Sequence, residues 1–138
     1  MMRGVSLCFL VLLVLHVSDS RHTPTSPSSK ERTSDNVPRD IDRDIASHKV
    51  MVFSKTYCPF SRALKTLLKN YKIKDMKVVE LDLEENMHDM QDHLQTLSGI
   101  HTVPQLFVNG KFIGNFEETE LKEETGQLKK ILRAADAI

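Results

Sequence analysis

Between residues 41 and 138, short apolar runs alternate with segments whose apolar residues recur every three or four positions. This switching of period restricts the chain to an α/β fold. Val50-Met51-Val52-Phe53 is an uninterrupted apolar run, suited to a strand buried on both faces. Phe60, Leu64, Leu67, Leu68 and Tyr71 then mark one face of a helix, whose other face carries Arg62, Lys65, Lys69 and Lys72. Val78-Val79-Glu80-Leu81 reads as a second strand, and Met87, Met90, Leu94 and Leu97 as a second long helix closed by Gly99. Leu106-Phe107-Val108 and Lys111-Phe112-Ile113 flank Asn109-Gly110, the dipeptide that best supplies the two positive φ angles of a type I′ hairpin. A short helix on Ile41, Ile45 and Ala46 precedes these elements. A C-terminal helix from about Glu117, broken at Gly126, follows them with Leu128, Ile131 and Leu132 facing inward. The order α-β-α-β-α-β-β-α predicts a four-stranded mixed sheet flanked by helices on both faces.

The N-terminal segments read differently. Arg3 is the only charge before Asp19, and the eleven residues from Val5 to Leu15 are apolar except Ser6. As a helix they reach about 16 Å, too short for a bilayer core of ~30 Å. With small residues at Ser18 and Ser20, residues 1–20 are expected to be a cleaved secretory signal, which places the protein in the secretory pathway (ER or Golgi lumen) or outside the cell. The alternative is an uncleaved, lumen-facing signal anchor. Residues 21–40 are expected to form a flexible linker, since ten of the eighteen residues from Arg21 to Pro38 are Ser, Thr or Pro. The folded domain is assigned to 41–138, with its start near Pro38 or Ile41.

Nineteen Lys+Arg balance nineteen Asp+Glu, so neither nucleic acid nor, once the signal is removed, a membrane is an expected partner. From Arg43 to Lys77, however, nine basic residues face two Asp, a local excess expected to attract an anionic ligand. There are two cysteines, too few for a disulfide scaffold or a four-thiolate zinc site. Cys8 lies in the signal, which leaves Cys58 as the one cysteine of the mature chain. Cys58 follows the first strand and immediately precedes Pro59, a residue favoured at the first position of a helix. Its sulfur is therefore expected over unpaired backbone N–H groups at the positive end of the helix dipole, with Lys55 adding charge. Both effects favour the thiolate, the nucleophile of thiol–disulfide exchange.

Lys55-Thr56-Tyr57-Cys58-Pro59-Phe60-Ser61, then Val79-Glu80-Leu81-Asp82, then Gly99-Ile100-His101-Thr102-Val103-Pro104-Gln105-Leu106-Phe107-Val108-Asn109-Gly110-Lys111-Phe112-Ile113-Gly114 resemble the glutaredoxin family in order and spacing. The resemblance spans about residues 41–138 and implies a thioredoxin-like fold with Pro104 in a cis peptide facing Cys58. It implies that Cys58 is the nucleophile, supported by Pro59 and Ser61. Glutathione is the implied co-substrate, met by Lys55 at its glycine carboxylate, by Phe60, and by the backbone of Thr102 and Val103 before Pro104. Gly114, Asn115 and Glu117-Glu118 are implied near its γ-glutamyl end. Ser61 stands where dithiol members have a second cysteine, and Asn115 stands where the family has the second glycine of a Gly-Gly turn. If that position needs a positive φ, Asn is the least costly side chain there. His101 stands where Arg is common and reads as a solvated loop residue.

With one thiol, the implied activity is monothiol reduction of glutathione mixed disulfides on glutathionylated proteins, carried out by a monomer. No resident metal is expected. The alternative is a dimer bridging a [2Fe–2S] cluster through one Cys58 per protomer and two glutathiones, against which Pro59 argues because cluster-binding members usually carry Gly or Ser there. A redox-inert binding module is the third possibility.

Overall fold

The computed structural model describes residues 34–138. The expected signal at 1–20, Cys8 within it, and the linker as far as residue 33 lie outside the described residues. The first helix, α1 (Val37–Ser47), starts four residues ahead of the assigned domain, behind a 3-10 turn over Ser34–Asn36. Residues 37–40, assigned to the linker, are thus helical. Val37, Ile41 and Ile45 recur at a spacing of four and are all buried, so the polar neighbours of Val37 concealed a core position.

The rest of the order is β1 (Val50–Ser54), α2 (Pro59–Lys69), β2 (Met76–Glu80), α3 (Met87–Ser98), β3 (Gln105–Val108), β4 (Lys111–Gly114), α4 (Phe116–Glu124) and α5 (Gln127–Ala134). The four strands lie in the order β2-β1-β3-β4, with β1 parallel to β2 and antiparallel to β3. Asn109 and Gly110 have φ of 50° and 79° and join β3 to β4 as the two-residue turn expected from the sequence. One extra residue of β4 faces β3 where Leu106 pairs with Gly114 and Phe107 with Phe112, and this bulge turns the strand toward α4. Gly126, at φ 72°, separates α4 from α5.

Alternate residues of β1 feed two cores. Met51 and Phe53 pack with Val79, Leu81 and Phe107 beneath α1 and α3. Val50 and Val52 pack with Leu106 and Val108 beneath α2 and α5, through Leu64, Leu68, Leu128 and Leu132. Phe53 and Phe107 meet edge to face at 5.8 Å. β1 is therefore clamped along its whole length, and the loop leaving it at Ser54 starts from a fixed point.

Tyr71, just past α2, donates its hydroxyl to Glu123 Oε2 on α4. Burial, followed by the Glu123 carboxylate, pushes the phenol from its ordinary 10.0 up to about 12. An unfolded phenol ionises first, so the contribution of this contact is complete below pH 10 and lost between pH 10 and about 12. Tyr71→Phe is expected to flatten that part of the alkaline denaturation curve. An unaltered curve would show that the contact carries no linkage.

Candidate active site

Cys58 occupies the position before the first turn of α2, with extended backbone (φ −79°, ψ 119°) and Pro59 next. Its N–H donates to Lys55 O at 3.1 Å, and its carbonyl accepts Arg62 N at 3.1 Å, opening the helix. Because Pro59 has no N–H, the next backbone donors, Phe60 and Ser61, are the ones that reach the sulfur. Burial pushes the thiol pKa up and is the largest single influence. The Ser61 hydroxyl, the Ser61 and Phe60 N–H groups and the Arg62 charge together outweigh it, leaving the thiol more acidic than an ordinary cysteine.

The charge that helps Cys58 comes from Arg62, not from Lys55 as expected. Lys55 Nζ donates instead to Gln91 Oε1 at 3.2 Å. Ser61 is fully buried, and its Oγ also accepts Lys55 N at 3.4 Å, which holds the hydroxyl under the sulfur. Ser61→Ala is therefore expected to raise the pH midpoint of Cys58 alkylation and to slow alkylation several-fold at pH 7. An unchanged midpoint would remove the hydroxyl from the account.

Opposite the thiol runs the segment before β3. The Val103–Pro104 bond is cis, and Val103 O lies 3.9 Å from Cys58 Sγ. A groove of about 300 Å³ opens beside it, lined by Phe60, Thr102, Val103, Pro104, Asn115, Phe116 and Glu117. Six residues singled out in the sequence thus meet in one groove, although they come from three separate stretches of chain. Lys55 and Gly114 do not line it. Phe116, not singled out, completes one wall, its ring 6.0 Å from that of Phe60.

Asn115 does not take the positive φ considered for it. At φ −79° it caps α4, its Oδ1 accepting Glu118 N at 3.0 Å while Glu118 Oε2 accepts Asn115 N at 3.1 Å. This capping box engages Glu118 and leaves Glu117 as the carboxylate on the groove. The special backbone lies one residue earlier, at Gly114, where φ is 152°.

The basic excess is smaller than the sequence suggests, because five of its nine cations pair with carboxylates. Arg43 meets Asp40, Lys65 meets Glu80, Lys77 meets Asp44, and Lys49 and Lys74 both meet Asp136. Lys55, Arg62, Lys69 and Lys72 stand outside these pairs. His101 is half-exposed with Nε2 3.1 Å from Asp92 Oδ1, on the side of α3. Four residues at or beside the site escaped the sequence reading: Phe116, Arg62, Gln91 and Gln105. Gln91 and Gln105 left a signal, since each is a polar residue at a position of an apolar face or strand and each is buried.

Comparison with known proteins agrees with this geometry. The family model described as glutaredoxin matches residues 50–113. An uncharacterised monothiol glutaredoxin of Caenorhabditis elegans is 44% identical over 128 residues, covering 93% of this chain and 88% of that protein. Oxidised glutaredoxin 2 of Chlamydomonas reinhardtii superposes with a TM-score of 0.70 at 38% identity, over 76% of this chain and 98% of that one. Buckwheat glutaredoxin, solved as a complex with glutathione, gives 0.72 at 30% identity, over 76% and 94%. The arrangement of sheet and helices is accordingly the thioredoxin-like fold.

Proposed function

Since this chain belongs to the glutaredoxin family, whose members are thiol oxidoreductases, we propose that it reduces glutathione mixed disulfides by a monothiol mechanism centred on Cys58. One observation carries the reading. The acidified sulfur of Cys58 stands beside a groove while Ser61, whose hydroxyl cannot form a disulfide, lies where a resolving thiol would have to be. Cys58 is also the one cysteine among the described residues.

The Cys58 thiolate attacks the glutathione sulfur of a glutathionylated protein. The protein's thiolate leaves and takes a proton, and Cys58 is left disulfide-bonded to glutathione. A second glutathione thiolate attacks the glutathione sulfur of that bond, releasing oxidised glutathione and regenerating the Cys58 thiolate. The net exchange consumes one free glutathione thiol: the glutathionylated protein and glutathione become the free protein thiol and oxidised glutathione. Ser61, Arg62 and the first N–H groups of α2 stabilise the negative sulfur whenever Cys58 is the attacking or the leaving group. The groove holds the glutathione part, with Thr102–Val103 offering backbone and Glu117 offering a carboxylate to an amine. The buckwheat relative, solved with glutathione, supports that ligand class.

A [2Fe–2S] cluster is the competing occupant. Among the described residues no group of three or more His, Cys, Asp or Glu could hold a metal, so the described domain offers the cluster one thiolate, with glutathione or a second copy as the source of the others. For the cell we propose the secretory pathway, on the strength of the apolar run at Val5–Leu15 behind Arg3.

One preparation tests the reading. The purified protein is expected to be colourless and monomeric, and to release oxidised glutathione when given glutathione and a small glutathione mixed disulfide. A brown dimer lacking this activity would overturn the enzyme in favour of the cluster. A colourless protein lacking it would leave a binding module.

A further inference from the structure

The segment that faces Cys58 is shaped by two buried amides. Ile100, His101 and Thr102 lie between α3 and β3, outside regular structure, so their carbonyls depend on side-chain donors, of which the Ser98 hydroxyl at the end of α3 reaches Ile100 O at 3.1 Å. Gln105 Nε2 donates to Ile100 O at 2.8 Å and to Thr102 O at 3.0 Å. Gln91 Nε2 donates to the carbonyl between them, His101 O, at 3.0 Å. Three successive carbonyls are thus gripped from two directions, by residues 1% (Gln105) and 6% (Gln91) exposed.

Gln105 is an unfavourable choice for stability alone. No protein donor reaches its buried Oε1, and an apolar side chain of similar shape would avoid that cost. Its benefit must therefore lie in what its two donated bonds hold in place. The residue after Thr102 is Val103, whose carbonyl lies 3.9 Å from the Cys58 sulfur.

We propose that Gln105 is a positioning residue for the exchange reaction: by fixing Ile100 O and Thr102 O it aims the Val103 backbone at the substrate disulfide. The inference rests on the reading that a glutathione mixed disulfide docks along Thr102–Val103. Gln105 touches none of the groups that acidify Cys58, so its effect falls on binding and leaves thiol reactivity alone.

The test compares the full-length protein with Q105M, which removes both donors and the unsatisfied oxygen together, and Q105N, whose amide is one methylene short. KM for a small glutathione mixed disulfide is expected to rise about 3- to 10-fold, the loss of one or two modest hydrogen bonds. Turnover at saturation and the pH midpoint of Cys58 alkylation should stay at wild-type values. Backbone order parameters at Thr102 and Val103 should fall from about 0.85 toward ~0.6. A wild-type KM in Q105M overturns the inference. So does a rise in KM accompanied by a shifted alkylation midpoint, which would report general loosening. An inactive wild-type protein would refute the exchange reading instead, and the order parameters alone would then decide: unchanged values in Q105M overturn the positioning role, lowered ones support it. Should Q105M fail to fold, Q105N carries the same comparison.

Discussion

Cys58→Ser is expected to reduce glutathione-dependent turnover by roughly four orders of magnitude or more, the scale of losing a covalent nucleophile. Its fold should be intact. Cys58 is the capping residue of α2, and serine, whose oxygen can accept the same Phe60 and Ser61 N–H groups that reach the sulfur, is among the preferred residues at such a position. The variant should therefore melt at or slightly above the wild-type temperature while no longer being alkylated in the described domain. That combination separates chemistry from structure. Ser61 cannot substitute, because its hydroxyl is buried and occupied by the Lys55 N–H and the sulfur. Residual activity above a few per cent would show that the exchange runs through another group.

The second large effect is expected at Gly114. Its φ of 152° is one that residues with a Cβ rarely adopt, and a Cβ there would lie 2.5 Å from Glu118 Oε2 and 2.6 Å from Glu118 Cβ. Glu118 is not free to withdraw, because its carboxylate accepts the Asn115 N–H and so closes the capping box of α4. Gly114→Ala must strain the backbone, at ~1–3 kcal/mol, and disturb the cap, at about 1 kcal/mol. A total of roughly 2–4 kcal/mol follows, read from the denaturant midpoint. Because Asn115, Phe116 and Glu117 come next along the chain and line the groove, KM should rise as well. Gly110 supplies the control: it too has positive φ (79°), but nothing lies within 4 Å of an added Cβ. Gly110→Ala is expected to cost only about 1 kcal/mol and to leave KM unchanged. Equal losses at the two glycines would mean that the Glu118 contact has no weight.

What the sequence revealed was local. The apolar run at Val50–Phe53, the helical spacing from Leu64 to Leu68, the Asn109-Gly110 turn and the break at Gly126 all act within a few residues, and each appears in the structure. Features set by distant partners were hidden. The basic stretch from Arg43 to Lys77 looked uncompensated because Glu80 and Asp136 lie beyond it in the chain and reach it only through the fold. The same applies to Gln91, whose partners are the Lys55 ammonium and the His101 carbonyl. Asn115 is a different case. Asn and Glu three apart at a helix start are a capping signature, but the residue was compared with a glycine turn and its own local chemistry was passed over. The start of α1 was hidden by composition, since a single buried Val37 stands among Ser, Asp, Asn and Pro.

The sulfur's environment is built at the β1–α2 junction, by residues 58–62. The groove wall bearing Asn115, Phe116 and Glu117 is built at the β4–α4 junction, and β3 lies between the two strands. The junctions touch at the Phe60–Phe116 ring pair, but no residue of the β4–α4 junction is among the groups that set the sulfur's acidity, so substitutions at Asn115 or Glu117 can accumulate without retuning the thiol. A lineage built on this plan is free to drift in what it recognises while its reactive centre keeps the same acidity, and to lose recognition first if it ever leaves catalysis.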